Sequence, residues 1–194
     1  MNLAARLARA LRVPAPATLL ADDLDPHEFT DAAPAAVLVG VVDHRDGPSL
    51  LLTKRNARMR THAGQVAFPG GRIDPGETPI EAALREAHEE LALDPADARL
   101  VGTLDPYVTG TGFIVTPVLA ILPPDLPLVA NEAEVDHWFE APFDHLLDPA
   151  HARQEEAAWQ GRQRRYWRID YENYDIWGAT AAMIVNLSRR LASA

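Results

Sequence analysis

The chain has 194 residues, no cysteine, 47% hydrophobic and 24% charged residues, and a formal net charge of −10 at pH 7. Such a composition suits a globular domain with a sizeable core. It excludes disulfides, a thiolate nucleophile and a zinc–thiolate site, and its acidic balance argues against a nucleic-acid partner, which would ask for a basic footprint.

In chain order, Met1–Leu11 carries Arg6 and Arg9 in a weakly amphipathic pattern without an apolar signal core, which predicts a terminal helix. Pro14, Pro16 and Asp22-Asp23-Leu24-Asp25-Pro26 read as a linker, so residues 1–34 are expected to pack as helix and linker on one domain spanning 35–194. Ala35–Val42 and Ser49–Thr53 predict two strands of a hairpin around the turn signal Arg45-Asp46-Gly47-Pro48. The longest apolar runs, Ala35–Val42 among them, are too short to cross a bilayer.

A helix is predicted within Gly71–Leu93, where Ile80, Ala83, Leu84, Ala87 and Leu91 recur at helical spacing. Thr78 caps it with Glu81 three residues on, Pro79 takes the first helical position, and Asp94-Pro95 stops it. Further strands are expected at Ala98–Leu104, Ile114–Leu122 and Trp138–Ala141, with a short helix at Pro142–Leu147. Gln163–Asp170 and Tyr174–Trp177 form a second hairpin candidate, with Arg164-Arg165 on a charged edge strand, and Gly178–Ala192 closes the chain as a helix. The class is α/β in the mixed, α+β sense, with hairpins present and no Rossmann alternation.

On the predicted helix Glu86, Glu89 and Glu90 stand at i, i+3 and i+4, roughly a third of a turn or more from the apolar stripe and so beside the core. Like charges at this spacing cost about 0.2–0.5 kcal/mol per pair, a cost that hard cations offset. Three glutamates alone fit a solvated acidic face. The glycine-rich stretch ahead of them, Phe68-Pro69-Gly70-Gly71 and Asp74-Pro75-Gly76-Glu77, favours a ligand site, because it brings bare backbone close to what the carboxylates hold.

Gly71, five residues, Glu77, seven residues and then Arg85-Glu86-Ala87-His88-Glu89-Glu90-Leu91-Ala92-Leu93 resembles the box of the Nudix hydrolase family, with Ala92 where that pattern has Gly. The resemblance implies an α/β/α sandwich with a mixed sheet, the box forming a loop-helix-loop. It implies Mg²⁺ or Mn²⁺ on Glu86, Glu89 and Glu90, aided by a Gly70 or Gly71 carbonyl. Arg85 would orient a carboxylate and Glu77 would be structural. The general base is sought among Glu86, Glu89, Glu132 and Glu134, the last two in Asn131-Glu132-Ala133-Glu134, which a solvated turn explains equally well. His88 is expected to lie off the cluster. Splitting a diphosphate needs charge neutralisation, an oriented water and a base, and no covalent intermediate.

The segment from Leu51-Leu52-Thr53-Lys54-Arg55 through Arg60, His62, Gly64 and Val66 to Phe68-Pro69-Gly70-Gly71 is similar to the one that marks the coenzyme A diphosphatase branch, with Asn56 in place of the usual Ser. Its basic residues suit phosphate. Since strand positions alternate, Arg55, Arg60 and His62 are expected near the site, Lys54 and Arg58 in solvent, and Gly64 in a turn. The implied reaction is hydrolysis of coenzyme A or its thioesters to 3′,5′-ADP and 4′-phosphopantetheine or its acylated form. The alternatives are another Nudix substrate, such as ADP-ribose or a dinucleoside polyphosphate, and a metal-free nucleotide-sensing module. A small-molecule substrate, no membrane partner, a monomer or homodimer, and a cytoplasmic setting complete the expectation.

Overall fold

The structure, a computed structural model of the chain, describes residues 2–14, 32–59, 61–159 and 162–194. In order, α1 (Leu3–Ala10) is followed by β1 (Ala33–Val42), β2 (Ser49–Arg55), β3 (Val66–Ala67), β4 (Gly70–Arg72) and α2 (Pro79–Leu91). Then come β5 (Arg99–Thr103), β6 (Tyr107–Val108), β7 (Phe113–Leu122), β8 (Val135–Pro142), α3 (Phe143–Leu147), β9 (Ala152–Trp159), β10 (Arg162–Tyr171), β11 (Tyr174–Trp177) and α4 (Ala179–Ser193).

The main sheet runs β3-β2-β1-β7-β5, with β4 also on β1, β6 on β7 and β8 on β2. Its centre is the parallel pair β1–β7, in register from Ala33↔Phe113 to Val42↔Leu122; the remaining pairings, including the expected β1–β2 hairpin, are antiparallel. Strand alternation sends Ala35, Val39 and Val41 of β1 into a core shared with α4 and α1, and Ala36, Leu38 and Val42 into a second core shared with α2. Helices thus cover both faces of a mixed sheet, the α/β/α arrangement expected. A second sheet, β11-β10-β9, flanks α4. Among the described residues no helix is long and apolar enough to cross a membrane.

The capping expectation for α2 holds in detail. Thr78 Oγ1 accepts from Glu81 N–H, and the Glu81 carboxylate accepts from Thr78 N–H at 2.8 Å, which satisfies two orphan donors of the first turn. The helix ends earlier than Asp94-Pro95. Ala92 adopts the left-handed conformation (φ 54°) and its N–H bonds His88 O at 2.8 Å, while Asp94 caps a separate 3₁₀ turn at Pro95–Asp97. Holding a non-glycine there costs roughly 1–2 kcal/mol, so the exit keeps the turn without the glycine that suits it.

Three expectations are corrected. The buried residues of α2 are Ala82, Ala83, Ala87, Glu90 and Leu91, whereas Ile80 and Leu84 are half-buried. At about 100° per residue the buried face is turned by roughly 50° from the expected stripe toward the glutamates. The carboxylates therefore do not all lie beside the core: Glu90 is 2% exposed. Secondly, β9 (Ala152–Trp159) was not foreseen, because its residues 152–158 are largely exposed and lack the alternation of a half-buried strand. Thirdly, β10 gains β9 as a second neighbour: Arg164 and Arg165 pair with Ala157 and Glu156 of β9, while β11 pairs with β10 only from Arg168 to Tyr171. The linker from Pro16 through Pro26 and the substrate candidate Arg60 lie outside the described residues.

Candidate active site

The site begins where β4 joins the sheet. Gly70 and Gly71 pair with Val37 and Ala36 of β1, which fixes the loop's bare backbone against the centre of the fold. A Cβ at Gly70 would fall 2.4 Å from Ala36 O, and one at Gly71 would fall 2.4 Å from Glu86 Oε1. Glycine at 71 is thus what lets a carboxylate of α2 lie directly on β4. Gly70 N–H donates to Glu90 Oε2 at 3.3 Å, so two helix carboxylates meet the same two-residue stretch of strand.

Arg85 organises the outer side. Its Nε donates to Glu77 Oε1 at 2.7 Å, its terminal nitrogens to Glu77 Oε2 at 3.1 Å and Arg72 O at 3.0 Å, and Nη1 to Glu86 Oε1 at 3.0 Å and Glu89 Oε2 at 3.2 Å. The planar fork of a guanidinium suits this many acceptors. Arg85, and then the Asp74 N–H at 2.9 Å, hold the Glu77 carboxyl below its ordinary range, and Arg85 itself is raised, chiefly by Glu77.

The inner side is short of positive charge. Burial raises Glu86 despite Arg85, with Glu89 and Glu134 adding to the effect. Burial pushes Glu90 up to about 8, opposed by Arg55 and reinforced by Glu86 and Glu134. The nearest cation, Arg55 Nη1, stands 3.7 Å from Glu90 Oε1, and Arg55 Nε is buried without a hydrogen-bond partner. Such a cluster has spare acceptor capacity on the carboxylates and a spare donor on the arginine.

The segment from 126 to 134 straps this side. Val129 N–H bonds Leu91 O and Asn131 N–H bonds Glu90 O, at 2.9 and 2.8 Å, while Asn56 N–H bonds Glu134 O at 2.8 Å and Asn56 Nδ2 bonds Glu132 O at 2.6 Å. The strap brings the half-buried Glu134 into the field of Glu86 and Glu90; Glu132 enters through its carbonyl. Asn56 thus ties the strap to β2, a role that its small polar character at that position hinted at and its spacing alone did not.

The remaining candidates separate. His62 is exposed, at φ 57°, and shares a hydrogen bond with Gln65 Oε1 at 2.9 Å; no box carboxylate is among its partners. His88 Nδ1 bonds Leu93 O at 3.1 Å, off the cluster as expected. Arg58 is exposed, Lys54 is half-buried rather than solvated, and Gly64 takes φ 70° in its turn. Among the described residues no three acidic or histidine side chains converge in metal-binding geometry: Arg85 holds Glu86 and Glu89, and Gly70 holds Glu90. The donor set nonetheless fits a hard divalent cation, because buried carboxylates that raise one another's pKa lack the charge such an ion brings.

Comparison with known proteins agrees with this geometry. The NUDIX domain family model matches residues 32–168. A protein of Escherichia fergusonii named Uncharacterized Nudix hydrolase NudL is 45% identical over 158 residues, 81% of this chain and 82% of that protein. Its namesake in Cronobacter sakazakii is 47% identical over the same shares. Among solved structures, the M. smegmatis Nudix hydrolase RenU superposes with a TM-score of 0.59 at 22% identity, covering 84% of this chain and 87% of that one. A MutT/nudix family protein from Enterococcus faecalis gives 0.54 at 13% identity, covering 100% and 75%; at such identities the likeness is one of fold. From the box, the sheet that seats it and these matches together, the chain belongs to the Nudix hydrolase family.

Proposed function

We propose that this Nudix hydrolase cleaves the diphosphate bond of coenzyme A or its thioesters, releasing 3′,5′-ADP and 4′-phosphopantetheine or its acylated form. The observation that carries this reading is the 3.7 Å approach of Arg55 to Glu90. Arg55 comes from the Leu51–Gly71 segment and Glu90 from the box, so the residues taken to choose the substrate and those taken to cleave it form one charge cluster.

Glu86 and Glu90, with Glu89 and the Gly70 or Gly71 carbonyl, would hold Mg²⁺ or Mn²⁺. Such an ion neutralises non-bridging phosphoryl oxygens and acidifies a bound water. Arg85 keeps Glu86 and Glu89 oriented through its bonds to both. Arg55, with an unused Nε donor, grips a phosphoryl oxygen. Glu134, half-buried beside Glu86 and Glu90 and not bound by Arg85, takes the proton of the attacking water. Arg60 and His62 remain substrate candidates.

The test is a comparison of initial rates for coenzyme A, ADP-ribose and a dinucleoside polyphosphate under Mg²⁺ and under Mn²⁺. Preferred turnover of coenzyme A is expected. Negligible turnover of it beside rapid cleavage of ADP-ribose overturns the assignment, and nucleotide binding with no metal-dependent product shifts the reading to a sensing module.

A further inference from the structure

The free edge of β11 faces β3, and the seam between the two sheets is pinned by Thr180 Oγ1 donating to Val66 O at 3.2 Å. Beside this pin opens a cleft of about 290 Å³, floored by Val66 and walled by Gln65, Tyr174 and Trp177, with Lys54, Asn173 and Asp175 at its mouth. It belongs neither to the box nor to the strap.

Its walls are built and set. The Tyr174 ring stacks on Phe139 with centroids 3.6 Å apart and planes 6° from parallel. Its hydroxyl is hydrogen-bonded to His137 Nε2 at 2.9 Å, and His137 Nδ1 lies 2.9 Å from Asp136 Oδ2. Trp177 meets Tyr166 in a near-perpendicular contact with centroids 5.7 Å apart and remains 39% exposed. Of the two charges at the mouth, Asp175 is already met by Arg168, Nε to Oδ1 at 2.9 Å. Lys54 makes no ion pair among the described residues, so the cleft presents one uncompensated cation in an acidic protein.

These features select a ligand. The volume falls just below the range for ligand pockets, about 300–1,000 Å³, and so suits a nucleoside-sized piece rather than a whole coenzyme. An open indole offers a stacking face to a base, and the amides of Gln65 and Asn173 offer donors and acceptors to its edge. The ammonium of Lys54 is a point charge for phosphate. A pantetheine arm carries neither aromatic ring nor charge and would leave both features unused. The cleft and the carboxylate cluster also share a stretch of chain: Lys54 and Arg55 are consecutive and separated by a register shift of β2 against β8, and Arg55 N–H bonds Gln65 O at 2.9 Å. A nucleotide with its diphosphate at Arg55 can therefore reach the cleft around the end of β2.

We propose that this cleft binds the phosphorylated purine nucleoside end of the substrate, Trp177 stacking on the base and Lys54 meeting the ribose phosphate. The proposal rests on the coenzyme A reading for the identity of that end, and its test separates the two. Full-length protein without metal is titrated with adenosine 3′,5′-bisphosphate and with AMP, followed by isothermal titration calorimetry for affinity and by tryptophan fluorescence for stacking, in wild type, Trp177→Ala and Lys54→Met. Trp177→Ala is expected to lose the quench and to bind both about tenfold more weakly. Lys54→Met is expected to weaken the bisphosphate about tenfold and leave AMP unchanged. With Mg²⁺, both variants should raise KM for coenzyme A with kcat within about twofold, and Lys54→Met should leave KM for dephospho-coenzyme A as in wild type. Unaltered bisphosphate binding in both variants, each melting as wild type does, overturns the cleft. Turnover of coenzyme A with unaltered KM in both variants keeps the coenzyme A reading and discards the cleft. Bisphosphate binding that needs Trp177 and Lys54, in a protein that cleaves only ADP-ribose, keeps the cleft and discards coenzyme A.

Discussion

The two flanks of α2 carry the same residue type under opposite conditions. On the outer flank Glu77 and Glu89 answer to Arg85, and Glu89 is 53% exposed; on the inner flank the Glu90 side chain is 3% exposed and its nearest cation is 3.7 Å away. Glu77 is driven below its ordinary pKa and Glu90 above it. One flank is held by hydrogen bonds from an arginine of the chain, whereas on the other burial disfavours ionisation of Glu90, which a cation from outside would favour. In the proposed reading the less well-paired flank meets the substrate's metal and the arginine-bound flank holds it in place.

Breaking each flank should separate these roles. The largest effect is expected from Glu90→Gln, which removes a buried charge at nearly constant volume: steady-state assays should find at least about a hundredfold loss of kcat, above the range for outer-shell residues, while the metal-free melting temperature does not fall. Unchanged turnover would remove Glu90 from the metal site. Next comes Arg85→Ala, which frees Glu86 and Glu89 and leaves Glu90 its contacts with Gly70 and Arg55. Activity should drop about 10–100-fold, and a titration with Mg²⁺ should half-saturate at a higher concentration than in wild type.

Smaller effects test the frame. Thr78→Ala removes the capping hydroxyl and should cost about 1 kcal/mol in denaturant unfolding with kcat retained, since that hydroxyl bonds Glu81 and no box carboxylate. The smallest is a slope. Because the folded pKa of Glu77 is depressed, the stability it contributes is present above its ordinary value near 4.5 and is lost as pH falls through the folded value. Thermal melts between pH 5 and pH 3 should therefore decline more steeply in wild type than in Glu77→Gln, and parallel curves would show that the Glu77–Arg85 pair adds nothing.

Much of this was legible from residue order because it is local chemistry. The capping box at Thr78 and Glu81, the β1–β2 hairpin and the closing helix follow from turn residues and periodicity within a few positions. The burial of Glu90 was not, because an alanine-rich helix carries little hydrophobic signal to fix its rotation: Ile80 and Leu84 dominated the pattern, yet Ala82, Ala83 and Ala87 are what pack closest. The short strands β3, β4 and β6, of two or three residues, exist only by pairing with longer ones. The hairpin expected of β10 and β11 is a three-stranded sheet for the same reason, its third strand β9 being specified by partnership more than by its own sequence. Arg55 was picked out through resemblance to a family, and what the structure adds is its partner. Lys54 was expected in solvent because strand alternation sends only some of the basic residues to one face, and the seam between two sheets gives it a wall.

The parallel pairing of β1 with β7 joins residues 80 positions apart, Ala33 to Phe113, in ten consecutive pairs. The whole box, from Gly71 to Leu93, lies inside the loop that this pairing closes, with β4 anchored to β1 and α2 packed across both strands. Closing so long a loop before its contacts reward it is slow, which makes this step the natural bottleneck of folding. The cluster of Gly71, Glu86 and Glu90 sits on the β4–β1 pairing within that loop, and we expect it to be completed together with the sheet. Recovery of activity after dilution from denaturant should then follow the same single rate as recovery of the sheet, so that no long-lived intermediate carries a half-built site with its carboxylates exposed to stray metal.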